Sequence, residues 1–355
     1  MTAFDSTEAA PDLARAGVRA PHRPIRARLV ATVAAYGALA VVTCLLAPLV
    51  GSTPISFSRV FDRSIPFTEN VDAQIFFVAR MPRVLAGAVV GAALASAGVV
   101  LQALLRNPLA TPFTLGVSGG AALGAILAIS FGAAITFGPF SAVPLASLVG
   151  AILSASIVYG LATKPGRAMS TSVLLLAGVT LNSFFSALIL FVQYMSDFTE
   201  TFRTVRWLMG DLDIGSFIPV FGALPLLLAA FAVFAMLPSS LNLLSVGSEQ
   251  AATRGVDVAR VQRLAFISSA LATSAAVSLA GPIGFVGIVV PHLVRLMVGV
   301  DHRIVLPASA LFGAAFLVAC DLVARTVLAP VEVPVGVVTA MLGGPFFLWL
   351  LVRKS

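Results

Sequence analysis

Charge is what this chain has least of. Only 22 Lys or Arg and 15 Asp or Glu occur in 355 residues, 10% in all, where a soluble domain carries roughly 25%. With 59% of residues hydrophobic and a mean hydropathy of +1.03, the sequence excludes a water-soluble domain. Cysteine is scarcer still. Cys44 and Cys320 stand far apart in apolar runs, which excludes a disulfide framework and a thiolate metal site and leaves both as packing residues. There are three histidines: His22 in the N-terminal tail, His302 in a loop, and His292 directly after Pro291. None joins a metal-ligand cluster, and His292 reads as a structural hydrogen-bonding residue. No Ser-His-Asp pattern and no carboxylate pair lies inside the apolar runs, so a membrane-embedded enzyme lacks its catalytic cluster, and neither a metal nor a cofactor site is expected. The two lysines, Lys164 in TKPGR and Lys354 in RKS, do not follow glycine. A phosphate-binding loop of the form G-x-x-x-x-G-K-[ST] is therefore absent, and any ATP that powers this protein binds another subunit. The net charge of +7 is dispersed over short loops, which does not make the basic stripe of a nucleic-acid binder.

What is present is length of apolar chain. Runs bounded by Pro, Gly and charge place membrane spans near 29–50, 83–105, 113–132, 143–163 and 172–195, then near 216–237, 260–280, 284–299, 304–325 and 334–352. The expectation is an all-α integral membrane protein of about ten transmembrane helices, with an N-terminal tail over 1–28 and one transmembrane domain over 29–355. The first run is too long for a signal h-region and lacks an A-x-A site, so it reads as a retained span. With ten spans and the N-terminus inside, 15 of the 22 basic residues fall on the inner side and 7 on the outer. That asymmetry puts both termini in the cytoplasm. Three hydrophilic stretches exceed a hairpin: 51–83 and 196–215 outside, and 238–263 inside.

Glycines are grouped. In RNPLATPFTLGVSGGAALGA, Gly116, Gly120 and Gly124 recur every four residues, a spacing that lets helices approach closely in lipid. Polar groups inside the spans are few: Gln102, Asn182, Ser183, Gln193 and Thr339, which could line a path or hydrogen-bond between helices. Asp321 and Arg325 in CDLVAR share a helical face at i, i+4, as a structural pair or with Arg325 open to an acidic partner. The lack of intramembrane acidic relays argues against a stand-alone proton-coupled secondary transporter.

Five strings then stand out: RMPRVLAGAVVGAALASAGVVLQALLRNPLATPFTLGVSGGAALGA, LLLAGVTLNSFFSAL, WLMGDL, GPIGFVGIVVPHLVRLMVGVDHRIVLPASALFGAAFLVACDLVAR and PVGVVTAMLGGPFFLWLL. In order, from about Ile75 to Leu351, they resemble the permease subunits of type II ABC importers. This is the FecCD/BtuC-like family, which carries iron-siderophores, haem and vitamin B12 (cobalamin). The resemblance implies ten spans, a second permease copy as homodimer or heterodimer, two cytoplasmic ABC ATPase subunits that hold ATP and Mg, and an external substrate-binding protein. It implies a multi-pass protein of the bacterial inner membrane with no enzymatic activity of its own. Its docking arginines for acidic residues of the binding protein match Arg80, Arg83 and Arg325. Its ATPase-coupling loop matches SVGSEQAATRGVDVARVQR, with Glu249, Gln250, Ala251, Ala252, Arg254 and Gly255 as contacts. Here Ser248 stands where the family has a glutamate after glycine, and Arg254 precedes Gly255 where leucine is usual. Spans five and ten line the family's path, which assigns Asn182, Ser183, Phe185 and Thr339 to it.

Overall fold

The computed structural model describes residues 24–132, 136–137, 140–163 and 169–354. The tail up to residue 23, with Arg15, Arg19, His22 and Arg23, lies outside the described residues, as do Lys164 and Arg167 of the inner charge count. Fifteen helices are described. They are α1 Ile25–Leu46, α2 Phe57–Val60, α3 Val71–Gln74, α4 Met81–Leu105, α5 Val117–Gly132, α6 Ala142–Ala162, α7 Thr171–Met195 and α8 Phe198–Leu208, followed by α9 Ile218–Met236, α10 Pro238–Val246, α11 Ser248–Thr253, α12 Val258–Ala280, α13 Val286–Val298, α14 His302–Thr326 and α15 Val335–Lys354. Two-residue strands, β1 Thr136–Phe137 and β2 Phe140–Ser141, pair antiparallel between α5 and α6. Each of the ten apolar runs of the sequence is matched by a helix. Seven are long and apolar enough to cross a membrane, and the apolar parts of α5, α13 and α15 are shorter.

Burial sorts these helices into layers. The most apolar stretch of the α4 span is 78% buried and those of α12 and α14 are 67% buried, against 6% for α1 and 17% for α7. Small residues explain why α4 is central. A Cβ on Gly91 would collide with the Gly313 carbonyl of α14, and one on Gly98 with the Gly287 carbonyl of α13. The backbones touch there, and dispersion plus backbone packing replaces the hydrophobic drive that lipid cannot provide. α5 and α6 use the same device, Gly120 against Gly150 and Gly124 against Ala146. Gly116 is a correction to the one-face helical reading. It lies before α5, in a left-handed conformation with φ 79°, and its carbonyl accepts from Ser154 Oγ at 2.7 Å.

The run near 284–299 is not a full span. α13 has 13 residues, about 20 Å of helix, against a hydrocarbon core of about 30 Å. The non-helical segment Gly281–Phe285 precedes it. Backbone of that kind is tolerated at membrane depth only where protein encloses it. Here the end of α8 and the loop after it do so: a Cβ at Gly281 would run into the Trp207 carbonyl, and one at Gly210 would press on the Pro282 carbonyl. Gly336 of α15 donates its N–H to the Gly210 carbonyl at 3.3 Å, and Gly343 packs on the Phe285 ring. WLMGDL, GPIGF and PVGVV thus meet at one place.

Two substitutions test the packing. Gly91→Val should destabilise by more than the usual ~1–3 kcal/mol of overpacking, because the obstacle is backbone. Gly160→Ala, where a Cβ meets nothing within 4 Å, should be neutral or slightly stabilising. Thermal unfolding of the detergent-solubilised protein, followed by size-exclusion chromatography, reads both.

Candidate functional site

Two polar assemblies lie at opposite ends of α14, whose 25 residues span about 37 Å. At its C-terminal end, Asp321 is 1% exposed and is shared by two arginines. Arg83 Nε of α4 donates to Asp321 Oδ1 at 2.9 Å, and Arg83 Nη1 donates to Glu332 Oε2 at 2.6 Å. Arg325 Nε lies 3.0 Å from Asp321 Oδ2 as an ion pair poorly aimed for a hydrogen bond, while its Nη2 donates to the Ala47 carbonyl at 3.2 Å. Arg80 donates to the Pro48 carbonyl at 2.9 Å and to the Thr53 carbonyl. The i, i+4 pair expected of CDLVAR is therefore present, with Arg83 as a third member.

The family resemblance assigns the three arginines to docking, with a pair to Asp321 left open for Arg325. In the fold Arg80, Arg83 and Arg325 are only 5%, 6% and 3% exposed, because each is held by a carboxylate or a carbonyl. All three nevertheless line a surface cleft of about 720 Å³, together with Arg206, Asp211, Asp213 and Glu332. Arg206 Nη2 reaches Asp211 Oδ2 at 3.1 Å and Asp213 Oδ2 at 3.3 Å, and its side chain is 58% exposed. Arg206 and Glu332 were missed from the sequence. Arg206 directly precedes WLMGDL and Glu332 lies just before PVGVV, yet only the fold brings both to the cleft that Arg83 lines.

At the other end, the stretch 238–263 forms two short helices, α10 and α11, before α12. Gly247, at φ 151°, separates them, and Gly255, at φ 82°, follows α11. Glu249, Gln250, Ala252, Arg254 and Gly255 are exposed. Ala251 is corrected: it is fully buried, because its carbonyl receives Val256 N–H at 3.1 Å and folds α11 back on α12. The loop is fastened through Asn242 of α10. Its amide nitrogen donates to Asp301 Oδ1 at 2.7 Å, and its amide oxygen accepts from His302 N at 2.9 Å and lies 2.7 Å from His302 Nδ1. Asp301 also caps α14 by accepting Arg303 N–H. Hydrogen bonds from Arg303 and Asn242 hold the Asp301 carboxyl well below the usual range, so it is ionised at neutral pH.

The four residues assigned to a path do not share one surface. Thr339 is fully buried and its hydroxyl donates to the Gly336 carbonyl at 3.0 Å, so in this conformation it lines nothing. Asn182 donates to the Phe113 carbonyl at 2.6 Å and, with Phe185, abuts Gly119 of α5; both serve helix packing. Ser183 alone of the four is exposed, its hydroxyl turned to the Val179 carbonyl at 3.2 Å. Gln102 bridges helices, donating to the Gly287 carbonyl at 3.0 Å and accepting from Arg295 at 2.5 Å. His292 sits edge-on to Phe346 with centroids 6.0 Å apart. Cys320 is buried, and Cys44 packs beside Val84 and Val318. Among the described residues, no group of three His, Cys, Asp or Glu could hold a metal ion.

Residues 39–353 match the FecCD transport family. The chain is 44% identical to the cobalamin import system permease protein BtuC of Halobacterium salinarum, over 84% of this chain and 78% of that one. It is 38% identical to the hemin transport system permease protein HmuU of Yersinia pestis, over 89% and 93%. A solved chain described as an inward-facing metal-chelate type ABC transporter superposes with a TM-score of 0.77 at 32% identity, covering 92% of this chain and all of that one.

Removing the shared carboxylate should expose the cost of the cluster. Asp321→Ala leaves Arg83 and Arg325 buried near each other without their common counter-ion, and a loss of about 3–5 kcal/mol is expected. Asp321→Asn, which keeps the acceptor, should lose less. Thermal unfolding in detergent ranks the two; equal, negligible losses would show that the cluster is not structural.

Proposed function

The chain belongs to the FecCD transport family, and on that premise we propose that it is the permease subunit of an ATP-driven importer of a bulky metal chelate in the bacterial inner membrane. An iron-siderophore is the leading substrate, with cobalamin or haem next. The observation that carries this reading is the pair of polar assemblies at opposite ends of α14: a charged cleft on one face and two short helices on the other. A permease that works between an external binding protein and an internal ATPase needs a docking surface on each side. In this reading the cleft lined by Arg80, Arg83 and Arg325, joined by Arg206, receives the binding protein, and Glu249, Gln250, Ala252, Arg254 and Gly255 meet the ATPase. The inner placement of α10 and α11 follows from the positive-inside count.

The apolar surface left open on α7, including Leu176, Phe184, Phe191 and Tyr194, suits a second permease copy with Ser183 at the path between them. Motion is alternating access: ATP draws the two ATPase subunits together, the α10–α11 loop follows, and the path opens to one side at a time. No covalent chemistry takes place in this chain, and no cofactor is bound by it.

Two measurements test the proposal. In vesicles holding the permease with its cognate ATPase and binding protein, uptake of the chelate should require ATP; uptake that persists without nucleotide would point to a secondary transporter instead. For docking, Arg80→Glu and Arg206→Glu should each weaken binding-protein affinity about tenfold and flatten its dependence on salt. Unchanged affinity in both would refute the arginine assignment.

A further inference from the structure

We propose that Asn242 is a positioning residue that latches the α10–α11 loop to the N-terminus of α14, so that displacement of the loop is passed to the α4–α14 pair and through it to the charged cleft on the opposite face. The inference rests on the reading of that loop as the ATPase contact.

The chemistry fixes the latch's orientation. A backbone N–H can only donate and an ionised carboxylate can only accept, so Asn242 must turn its oxygen to His302 N and its nitrogen to Asp301. That oxygen lies 2.7 Å from His302 Nδ1, which therefore carries the proton. Three contacts thus run from one side chain on α10 to the first turn of α14, at a histidine only 6% exposed. Beside Asn242, Leu241 and Leu244 are buried and hold α10 against the body of the protein, but apolar contacts allow sliding where directed hydrogen bonds do not. Beyond the latch α14 has little freedom. It meets α4 backbone to backbone at Gly91 and Gly313, and its far end is joined to α4 again through Asp321 and Arg83. A helix clamped at both ends transmits displacement; one released at its first turn does not.

The test uses the complete complex in vesicles, offered an iron-siderophore, cobalamin and haem in turn, with molecules of the transported chelate moved per ATP hydrolysed as the readout. Asn242→Ala should leave the complex assembled and hydrolysing ATP while chelate moved per ATP falls about tenfold, within the range seen for coupling residues. Asn242→Asp keeps the acceptor toward His302 but sets a carboxylate against Asp301, and should be as poor. Adding Asp301→Asn to Asn242→Asp removes the facing charges and lets the new amide nitrogen donate to residue 242, at the expense of the Arg303 N–H cap, because Asp301 Oδ1 serves both contacts in the native chain; the ratio should recover in part. An unchanged ratio in Asn242→Ala, a loss of uptake and hydrolysis in equal proportion, or failure of the double variant to recover would each overturn the inference. Failure of all three variants to assemble would mark Asn242 as a folding residue and overturn it too. A wild-type complex without ATP-dependent uptake would instead overturn the underlying reading.

Discussion

Close backbone contact between α4 and its neighbours is the constraint on which the rest of this protein depends. Lipid is as apolar as leucine, so helices in it gain nothing by hiding side chains and must gain by proximity. Gly91 with Gly313 and Gly98 with Gly287 provide that proximity. They make α4 the most buried of the spans. Once α4 and α14 are in register, Arg83 falls opposite Asp321, and charges that would be costly to bury singly become part of the packing.

The same register places both polar assemblies. α14 carries a capped, hydrogen-bonded first turn at one end and an ion cluster at the other. Both are built from residues of other helices: Asn242 of α10 at one end, Arg83 and Glu332 at the other. The arginine cleft is neither a set of free cations nor an inert core. Arg83 and Arg325 spend their charge on Asp321, while Arg206, held by Asp211 and Asp213 at the rim, is the group a partner would meet first.

Around Gly281–Phe285 the chain departs from helix, and two separate strings, WLMGDL and PVGVV, close over it. A broken segment at membrane depth leaves N–H and C=O groups that must find partners within the protein. The loop after α8 and the start of α15 supply enclosure and contact. This explains why WLMGDL, GPIGF and PVGVV, distant in sequence, belong to one arrangement.

Much of this was legible in the sequence. Apolar runs of sufficient length determined ten helices and their boundaries to within a few residues, because in lipid each span must satisfy its own backbone. The i, i+4 spacing of Asp321 and Arg325 determined their pairing for the same local reason, and the glycine spacing of α5 determined close packing. What the tertiary structure alone decided is which way side chains turn and what lies across from them. Thr339 and Asn182 read as path residues, but Thr339 is buried and bonded within its own helix while Asn182 bonds the Phe113 carbonyl, and Ala251 reads as a surface contact but is buried. Arg206, Glu332 and Asn242 gained their roles only from partners that lie 5 to 249 positions away. Helix rotation and cross-helix register are set by contacts between segments, and no pattern within one segment encodes them.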